Sequence, residues 1–119
     1  MTEVQNKKHY DLEERTALFA RRVRNYVNTL PKITTNIEYG KQLTRSSGSV
    51  GANYIEANES LSKKDFVMRV KICRKESKES RYWLELTEPT EQNVKERERL
   101  SQESTEFIKI FNAIIVKSE

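Results

Sequence analysis

Apolar residues recur at spacings of three, four and seven in four separate stretches of the chain. In the first stretch they are Leu12, Phe19, Val23, Tyr26, Val27 and Leu30. This spacing places side chains on one face of an α-helix, so each stretch predicts an amphipathic helix with one buried side. The predicted helices cover residues 10–30, 32–60, 63–87 and 90–117, after a flexible polar N-terminal tail at residues 1–9.

The ends of these helices carry recognisable signals. Pro31 ends the first helix and presets the first turn of the second. Ser62 and Asp65 have the spacing of a capping box at the start of the third helix, and Thr90 is placed to cap the fourth. Because the connections are short, neighbouring helices are expected to run antiparallel. The pattern therefore predicts an all-α, up-down-up-down four-helix bundle forming one domain over residues 10–117.

Composition agrees with long helices that have narrow buried stripes. The 119 residues are 35% hydrophobic and 34% charged, and only three Gly and two Pro are present, which disfavours an all-β fold. The single Cys73 cannot form an intramolecular disulfide. The N-terminus has no apolar signal-peptide segment, and no apolar run is long enough to span a membrane. We therefore expect a cytoplasmic protein without a membrane partner.

Positive charge is concentrated in the first part of the chain. The net charge is +4, yet residues 1–84 hold 17 Lys/Arg against 10 Asp/Glu, giving +7, and residues 85–119 hold 5 against 8, giving −3. Such a bias is typical of surfaces that attract nucleic acid, although ordinary solvated helix surface is an equally good interpretation. The candidate nucleic-acid-binding residues are Lys7, Lys8, Arg21, Arg22, Arg24, Lys63, Lys64, Arg69, Lys71 and Arg74.

A set of polar residues beside the predicted inner stripes is the second feature of interest. Paired carboxylates on facing helices are typical of di-metal sites, but those sites also need histidines, and the only one, His9, precedes the predicted helices. We therefore expect no metal, and instead a hydrogen-bonded device that sets the register between helices or subunits. Its members are Arg45, Asn53, Glu56, Lys75, Glu76, Glu79 and Trp83. Arg45, Asn53, Lys75, Lys78 and Arg81 are expected to neutralise the paired carboxylates or to hydrogen-bond with them.

Three other patterns are weak as functional signals. Residues 46–51 are rich in Ser and Gly but lack the Gly-Lys-Ser/Thr ending of a phosphate-binding loop. Cys73 lies on an inner stripe without a helical histidine to activate it, so it is expected to pack. Tyr82 and Trp83 are able to stack on bases, but such a pair is more often a packing anchor. We expect no enzyme, no cofactor and no small-molecule substrate.

Three linked motifs resemble the intervening-sequence protein family, named after reading frames in insertions within bacterial large-subunit ribosomal RNA genes. The first motif has Ser49, Asn53, Glu56 and Ala57, and the second has Ser62, Asp65 and Phe66. The third has Lys75, Glu76, Glu79, Tyr82, Trp83 and Leu84. With the lengths of the flanking helices, the resemblance covers most of residues 10–117.

The resemblance implies an assembly rather than an activity. The family includes the accessory variability determinant of diversity-generating retroelements, a homopentamer of four-helix bundles whose basic surface associates with a reverse transcriptase and nucleic acid. It therefore implies a homopentameric ring and binding of nucleic acid or of a nucleic-acid-bound protein, without catalysis. Our first hypothesis is a non-enzymatic oligomer that binds RNA, DNA or a ribonucleoprotein through basic helix faces. The alternative is a structural or adaptor oligomer that binds another protein.

Overall fold

The computed structural model describes residues 12–119, and all regular structure in this range is helical, with no β-strand. Four α-helices and one 3₁₀ turn follow one another: α1 (Leu12–Asn28), α2 (Thr34–Asn58), α3 (Lys63–Leu86), the turn (Glu91–Asn93) and α4 (Val94–Ser118). The tail predicted at residues 1–9 and the first two residues of the predicted first helix lie outside the described residues.

The four helices pack as a bundle in which each helix has two helical neighbours. Both α1 and α3 contact α2 and α4, so α1 and α3 lie diagonally across the bundle. Arg15 and Arg22 of α1 form ion pairs with Glu103 and Glu96 of α4, at 2.7 and 3.0 Å. Because α1 and α3 are diagonal, their outer faces point in opposite directions, and basic side chains on these two faces do not share one surface.

The inner faces of the helices meet in one hydrophobic core. Phe19 of α1 packs edge-on against Phe107 of α4 with ring centroids 5.3 Å apart, and Phe107 stacks on Phe111 at 6.0 Å. Burial of this apolar surface is the main favourable term in folding. The other core residues are Leu12, Val23, Tyr26, Leu30, Leu43, Val50, Ala57, Val70, Cys73, Leu84, Leu100 and Ile115.

Small hydroxyl residues complete the inner stripes without leaving polar groups unpaired. The hydroxyl groups of Thr16, Ser77 and Ser104 each donate to the carbonyl four residues earlier, at 2.8, 2.8 and 3.0 Å. Between α2 and α3, the hydroxyl oxygens of Ser46 and Ser80 lie 3.0 Å apart. Because these hydroxyls are hydrogen-bonded, their burial carries little penalty, and a chain with few apolar residues still forms a packed core.

Two glycines permit close approach between α1 and α2. A Cβ on Gly51 would lie 2.8 Å from Thr16 Oγ1, and a Cβ on Gly40 would lie 3.2 Å from Val27 Cγ1. The third glycine, Gly48, is different, because a Cβ there would meet nothing within 4 Å. Gly51 and Gly40 therefore serve packing within the bundle, and Gly48 does not.

The helix starts differ in part from the sequence predictions. Ser62 caps α3 as expected, since its hydroxyl accepts the Asp65 N–H at 3.1 Å. Helix α2 begins at Thr34 rather than residue 32, because Pro31 O accepts the Ile33 N–H at 2.9 Å and residues 31–33 form a turn. Thr90 makes no side-chain cap, and a 3₁₀ turn delays α4 to Val94.

Candidate nucleic-acid interface

Part of the predicted polar motif forms an ion-pair cluster between α2 and α3. Arg45 Nη2 donates to Glu79 Oε1 at 2.9 Å, and Arg45 Nη1 lies 3.6 Å from Glu76 Oε1. Glu76 is only 6% exposed, and its Oε1 accepts no hydrogen bond from the described residues. A charge this deeply buried depends on its counter-ion, so Arg45 is the residue that stabilises the Glu76 carboxylate.

Trp83 extends the same α2–α3 face with an aromatic cluster. Its ring lies 5.7 Å from that of Tyr39 on α2 and 5.0 Å from that of Tyr82 on α3. The Trp83 Nε1 is buried and has no hydrogen-bond acceptor among residues 12–119. Tyr82 is 56% exposed. Trp83 is therefore a packing anchor, and its neighbour Tyr82 presents an aromatic ring to solvent.

The other members of the predicted motif lie elsewhere. Asn53 Oδ1 accepts from Arg69 Nη1 at 3.2 Å, so these two residues form a separate contact between α2 and α3. Glu56 is exposed near the end of α2. Lys75, which was expected to neutralise the paired carboxylates, forms no ion pair with any described residue and lies on the outer face of α3. The seven residues thus do not make one network.

The basic candidates on α1 form no shared site with those on α3. Lys7 and Lys8 lie outside the described residues. Arg21 and Arg24 are exposed on the outer part of α1, whereas Arg22 is held by both oxygens of Glu96, whose hydrogen bonds raise the pKa of the guanidinium above its ordinary value. Since α1 and α3 are diagonal, Arg21 and Arg24 face away from the basic residues of α3.

The candidates on α3 divide into exposed and engaged side chains. Lys63 and Lys64 are exposed in the first turn of the helix. Arg69 donates to Asn53, and Arg74 Nη1 donates to Asn112 Oδ1 of α4 at 2.7 Å. These two arginines therefore hold neighbouring helices, and an anionic partner would have to compete with those contacts.

Four lysines form one continuous row on the outer face of α3, and we name Lys64, Lys71, Lys75 and Lys78 the lysine row. Their spacings of seven, four and three place them on one side of the helix, opposite the buried stripe that includes Val70, Ser77 and Leu84. Met68 and Tyr82 share this side and are 49% and 56% exposed. At 1.5 Å per residue, the stretch from 64 to 82 is about 27 Å long.

The charges of the lysine row are mostly uncompensated. Lys71 Nζ lies 3.5 Å from Glu119 Oε2, in a pair whose side chains are about half exposed. The other three lysines form no ion pair with residues 12–119. Glu79 and Glu85 lie at the two borders of this side of the helix, and Glu79 is already paired with Arg45. Such a row presents a strip of positive potential suited to a linear polyanion.

No cluster of three His, Cys, Asp or Glu side chains suited to a metal ion occurs in the described range. Cys73 is fully buried, and burial raises the pKa of its thiol to about 12. Its thiolate, the reactive form, is therefore scarce at neutral pH.

None of the helices in residues 12–119 is both long and apolar enough to cross a membrane.

Comparison with known proteins places the chain in a family. The sequence model of the 23S rRNA-intervening sequence protein family matches residues 8–113. The chain belongs to this family. Among solved structures, it is similar to the crystal structure of a protein of unknown function from the S23 ribosomal protein family of Bacteroides thetaiotaomicron VPI-5482. The two are 36% identical, the match covers 87% of this chain and 96% of that chain, and the TM-score is 0.75. No curated protein matches.

In this intervening-sequence protein, the nucleic-acid candidates predicted from the sequence included only two of the four lysines of the lysine row. Lys64 and Lys71 were among the nucleic-acid candidates, but Lys75 was assigned to the polar motif and Lys78 to neutralising the same carboxylates. The signal that distinguishes them is helical phase, because positions 64, 71, 75 and 78 all lie opposite the buried stripe of α3. Charge alone did not separate inward from outward lysines.

Proposed function

We propose that this intervening-sequence protein is a non-enzymatic, cytoplasmic, self-assembling bundle that binds nucleic acid, or a ribonucleoprotein, through the lysine row of α3. The observation that carries the proposal is the row itself. It places four exposed lysines on one side of a helix, and three of them form no ion pair with residues 12–119. Lysines in this arrangement contact phosphates without reading base sequence.

The physical consequence is binding that depends strongly on salt. Each phosphate neutralised by a lysine releases condensed counterions, which lowers the slope of log K against log [salt] by about 0.7 on single strands and 0.9 on duplex DNA. Four lysines therefore support a slope of roughly −3. Tyr82, exposed at the end of the row, adds a ring on which a base is able to stack.

We include assembly into a homopentameric ring of antiparallel, up-down-up-down bundles in the proposal. Two ion pairs support the antiparallel order, since Arg15 pairs with Glu103 and Arg22 with Glu96, so residue numbers rise along α1 as they fall along α4. Side chains such as Leu61 and Ile37, 99% and 45% exposed, support self-association. A relation to the accessory variability determinant of retroelements is part of this proposal, and a ring would repeat the lysine row five times.

The test compares two triple variants with the same change in charge. One carries Lys64→Ala, Lys75→Ala and Lys78→Ala in the row. The control carries Lys95→Ala, Lys109→Ala and Lys117→Ala, which are exposed on α4. Affinity for a fluorescently labelled RNA is measured by anisotropy between 25 and 200 mM salt, together with the mass of each oligomer by light scattering.

We expect the row variant to flatten the salt slope by about 2 and the α4 control to change it by less than half as much. Equal losses in both variants would show that net charge, and not the row, carries binding. Absence of wild-type binding at low salt would overturn the nucleic-acid proposal. A wild-type mass of one chain at all concentrations would overturn the ring.

An adaptor function, in which the partner is another protein, is supported by a different surface. Ile110, Ala113, Ile114 and Val116 line a shallow apolar groove near the end of α4. A groove of this kind suits an apolar helix or loop of a partner. Recovery of one stoichiometric protein without nucleic acid, lost on Val116→Asp, would favour this second function.

A further inference from the structure

An exposed leucine at one end of the bundle and an apolar groove at the other end are lined by charges of opposite sign. Leu61 lies in the turn between α2 and α3 and is 99% exposed, more than any other large apolar side chain in residues 12–119. A fully solvated leucine gains nothing from the fold of its own chain. Burying it against another surface would strengthen an association roughly 10- to 100-fold, so the turn is suited to contact a partner.

The groove lies between α1 and α2 at the other end of the bundle. Val27, Ile37 and Gly40 form its apolar part, and Lys32 and Lys41 flank it; we name these five residues the α1–α2 groove. Its volume is about 390 Å³, which is ample for a leucine side chain. Gly40 keeps the floor open at this point, and Ile37 remains 45% exposed.

The charges around the two features are opposite. Leu61 shares a depression with Glu56, Glu59 and Asp65, against the single positive charge of Arg69. Lys63 and Lys64, the first two residues of α3, line a different depression that includes Ser118 of α4 and the following Glu119. The side of the turn that faces α2 is therefore acidic, whereas the charged residues that line the groove are Lys32 and Lys41, of which Lys41 also pairs with Glu38 at 3.7 Å.

The two features cannot meet within one copy of the chain. They lie at opposite ends of α2, and the 21 residues from Ile37 to the end of the helix at Asn58 correspond to about 32 Å along the helix. We propose that Leu61 of one copy inserts into the α1–α2 groove of a second copy, with Glu56 and Glu59 facing Lys32 and Lys41. This contact rests on the self-assembly proposed above and names its interface.

The contact is heterologous, because each copy offers a different surface to each of its two neighbours. Repeating such a contact gives a closed ring when the rotations between successive copies add up to one full turn, and it gives an open filament otherwise. One leucine with two ion pairs buries much less than the ~1,200 Å² of a stable interface. A closed ring compensates for this, since every copy is then held by two contacts at once.

The test uses one variant on each side of the contact. Leu61→Asp removes the inserted side chain and leaves the groove intact, and Ile37→Asp spoils the groove and leaves Leu61 intact. Both residues are exposed, so folding is retained and is checked by circular dichroism. The control is Val116→Asp, which changes a 66% exposed apolar residue outside the contact. Masses are measured by sedimentation across a range of concentrations.

We expect each of the two variants to weaken self-association roughly 10- to 100-fold, as removal of one buried leucine predicts, and the control to behave as wild type. A mixture of the two variants should associate more tightly than either variant alone, because the Leu61 of the Ile37→Asp chain still fits the groove of the Leu61→Asp chain. This intact contact would not arise if Leu61 of one copy contacted Leu61 of the next, or one groove contacted another groove.

Wild-type mass in both variants would overturn this interface and leave the ring proposal standing. Loss of mass in both variants with no stronger association in their mixture would also overturn it. A monomeric wild type would overturn both the interface and the ring. RNA binding by Leu61→Asp reports separately on the lysine row, which that variant retains.

Discussion

Asn36 of α2 holds the backbone of Glu88 from both sides. Its Nδ2 donates to the Glu88 carbonyl at 3.0 Å, and its Oδ1 accepts the Glu88 N–H at 2.9 Å. The same Nδ2 also donates to Pro31 O at 2.9 Å. One side chain, 3% exposed, therefore ties the α1–α2 connection to the α3–α4 connection and holds this end of the bundle together.

Replacing Asn36 should destabilise the bundle more than the small volume of its side chain suggests. Asn36→Ala removes three hydrogen bonds to backbone groups, and we expect the free energy of unfolding to fall by about 1–3 kcal/mol in urea denaturation. Asn36→Asp keeps only the acceptor for the Glu88 N–H and should also be destabilised. The exposed Asn28→Ala, which breaks no hydrogen bond among the described residues, is the matched control. Equal stability of Asn36→Ala and this control would contradict the assignment.

The carboxylates of Glu76 and Glu79 should contribute unequally to stability or assembly. Glu76 is 6% exposed and the Glu79 side chain is 38% exposed, although both contact Arg45. We expect Glu76→Ala to lower the free energy of unfolding by about 1–3 kcal/mol, through lost packing and contacts, and Glu79→Ala by less than ~1 kcal/mol. Thermal melting and oligomer mass measure both, and wild-type values for both variants would refute a structural role.

A double-mutant cycle separates charge from packing at this cluster. Arg45→Ala leaves the buried Glu76 carboxylate without its counter-ion, so it should be destabilising. Adding Glu76→Gln removes the unpaired charge and should recover part of the loss. If the two effects simply add, the Arg45–Glu76 interaction does not contribute to folding.

The glycines of α2 should respond to alanine in opposite ways. At Gly48 a Cβ meets nothing within 4 Å, so Gly48→Ala should raise the free energy of unfolding by about 0.5–1 kcal/mol by restoring helix propensity. At Gly51 a Cβ would lie 2.8 Å from Thr16 Oγ1, so Gly51→Ala should destabilise the contact between α1 and α2. Chemical denaturation of the two variants side by side checks this, and the same sign for both would be inconsistent with the packing described.

The Cys73 thiol should make stability fall at high pH. Burial raises its pKa from 9.0 to about 12. The unfolded chain therefore releases this proton first, and stability that is fully present below pH 9 is lost as the pH rises towards 12, by up to ~1.4 kcal/mol per pH unit. Denaturation curves of wild type and Cys73→Ala should differ in this slope. A thiol reagent should label native Cys73 only as fast as the chain opens, and rapid labelling of the native protein would contradict its burial.

The candidate site was only partly predictable because charge and periodicity are local features of the sequence, whereas the ion pairs between side chains of different helices are not. The sequence identified Lys64 and Lys71 as basic candidates, and it identified the neighbourhood of Arg45, Glu76 and Glu79. It did not separate Lys75 and Lys78 from those carboxylates, since residues three or four apart on a helix look like partners. Only the direction in which α3 buries its stripe places these lysines outside.

The helical stripes, the Ser62 cap and the resemblance to the family were all determined by the sequence itself. The stripes and the cap depend on residues within one or two turns of helix, where 3.6-residue periodicity and capping chemistry act locally, and the resemblance depends only on the order and spacing of residues in the chain. The tertiary structure alone decided that α1 and α3 are diagonal, that Asn36 reaches Glu88 and that Leu61 stays in solvent. These relationships join residues far apart in the chain, and their physical cause is the packing of four inner faces into one core, which no local pattern specifies.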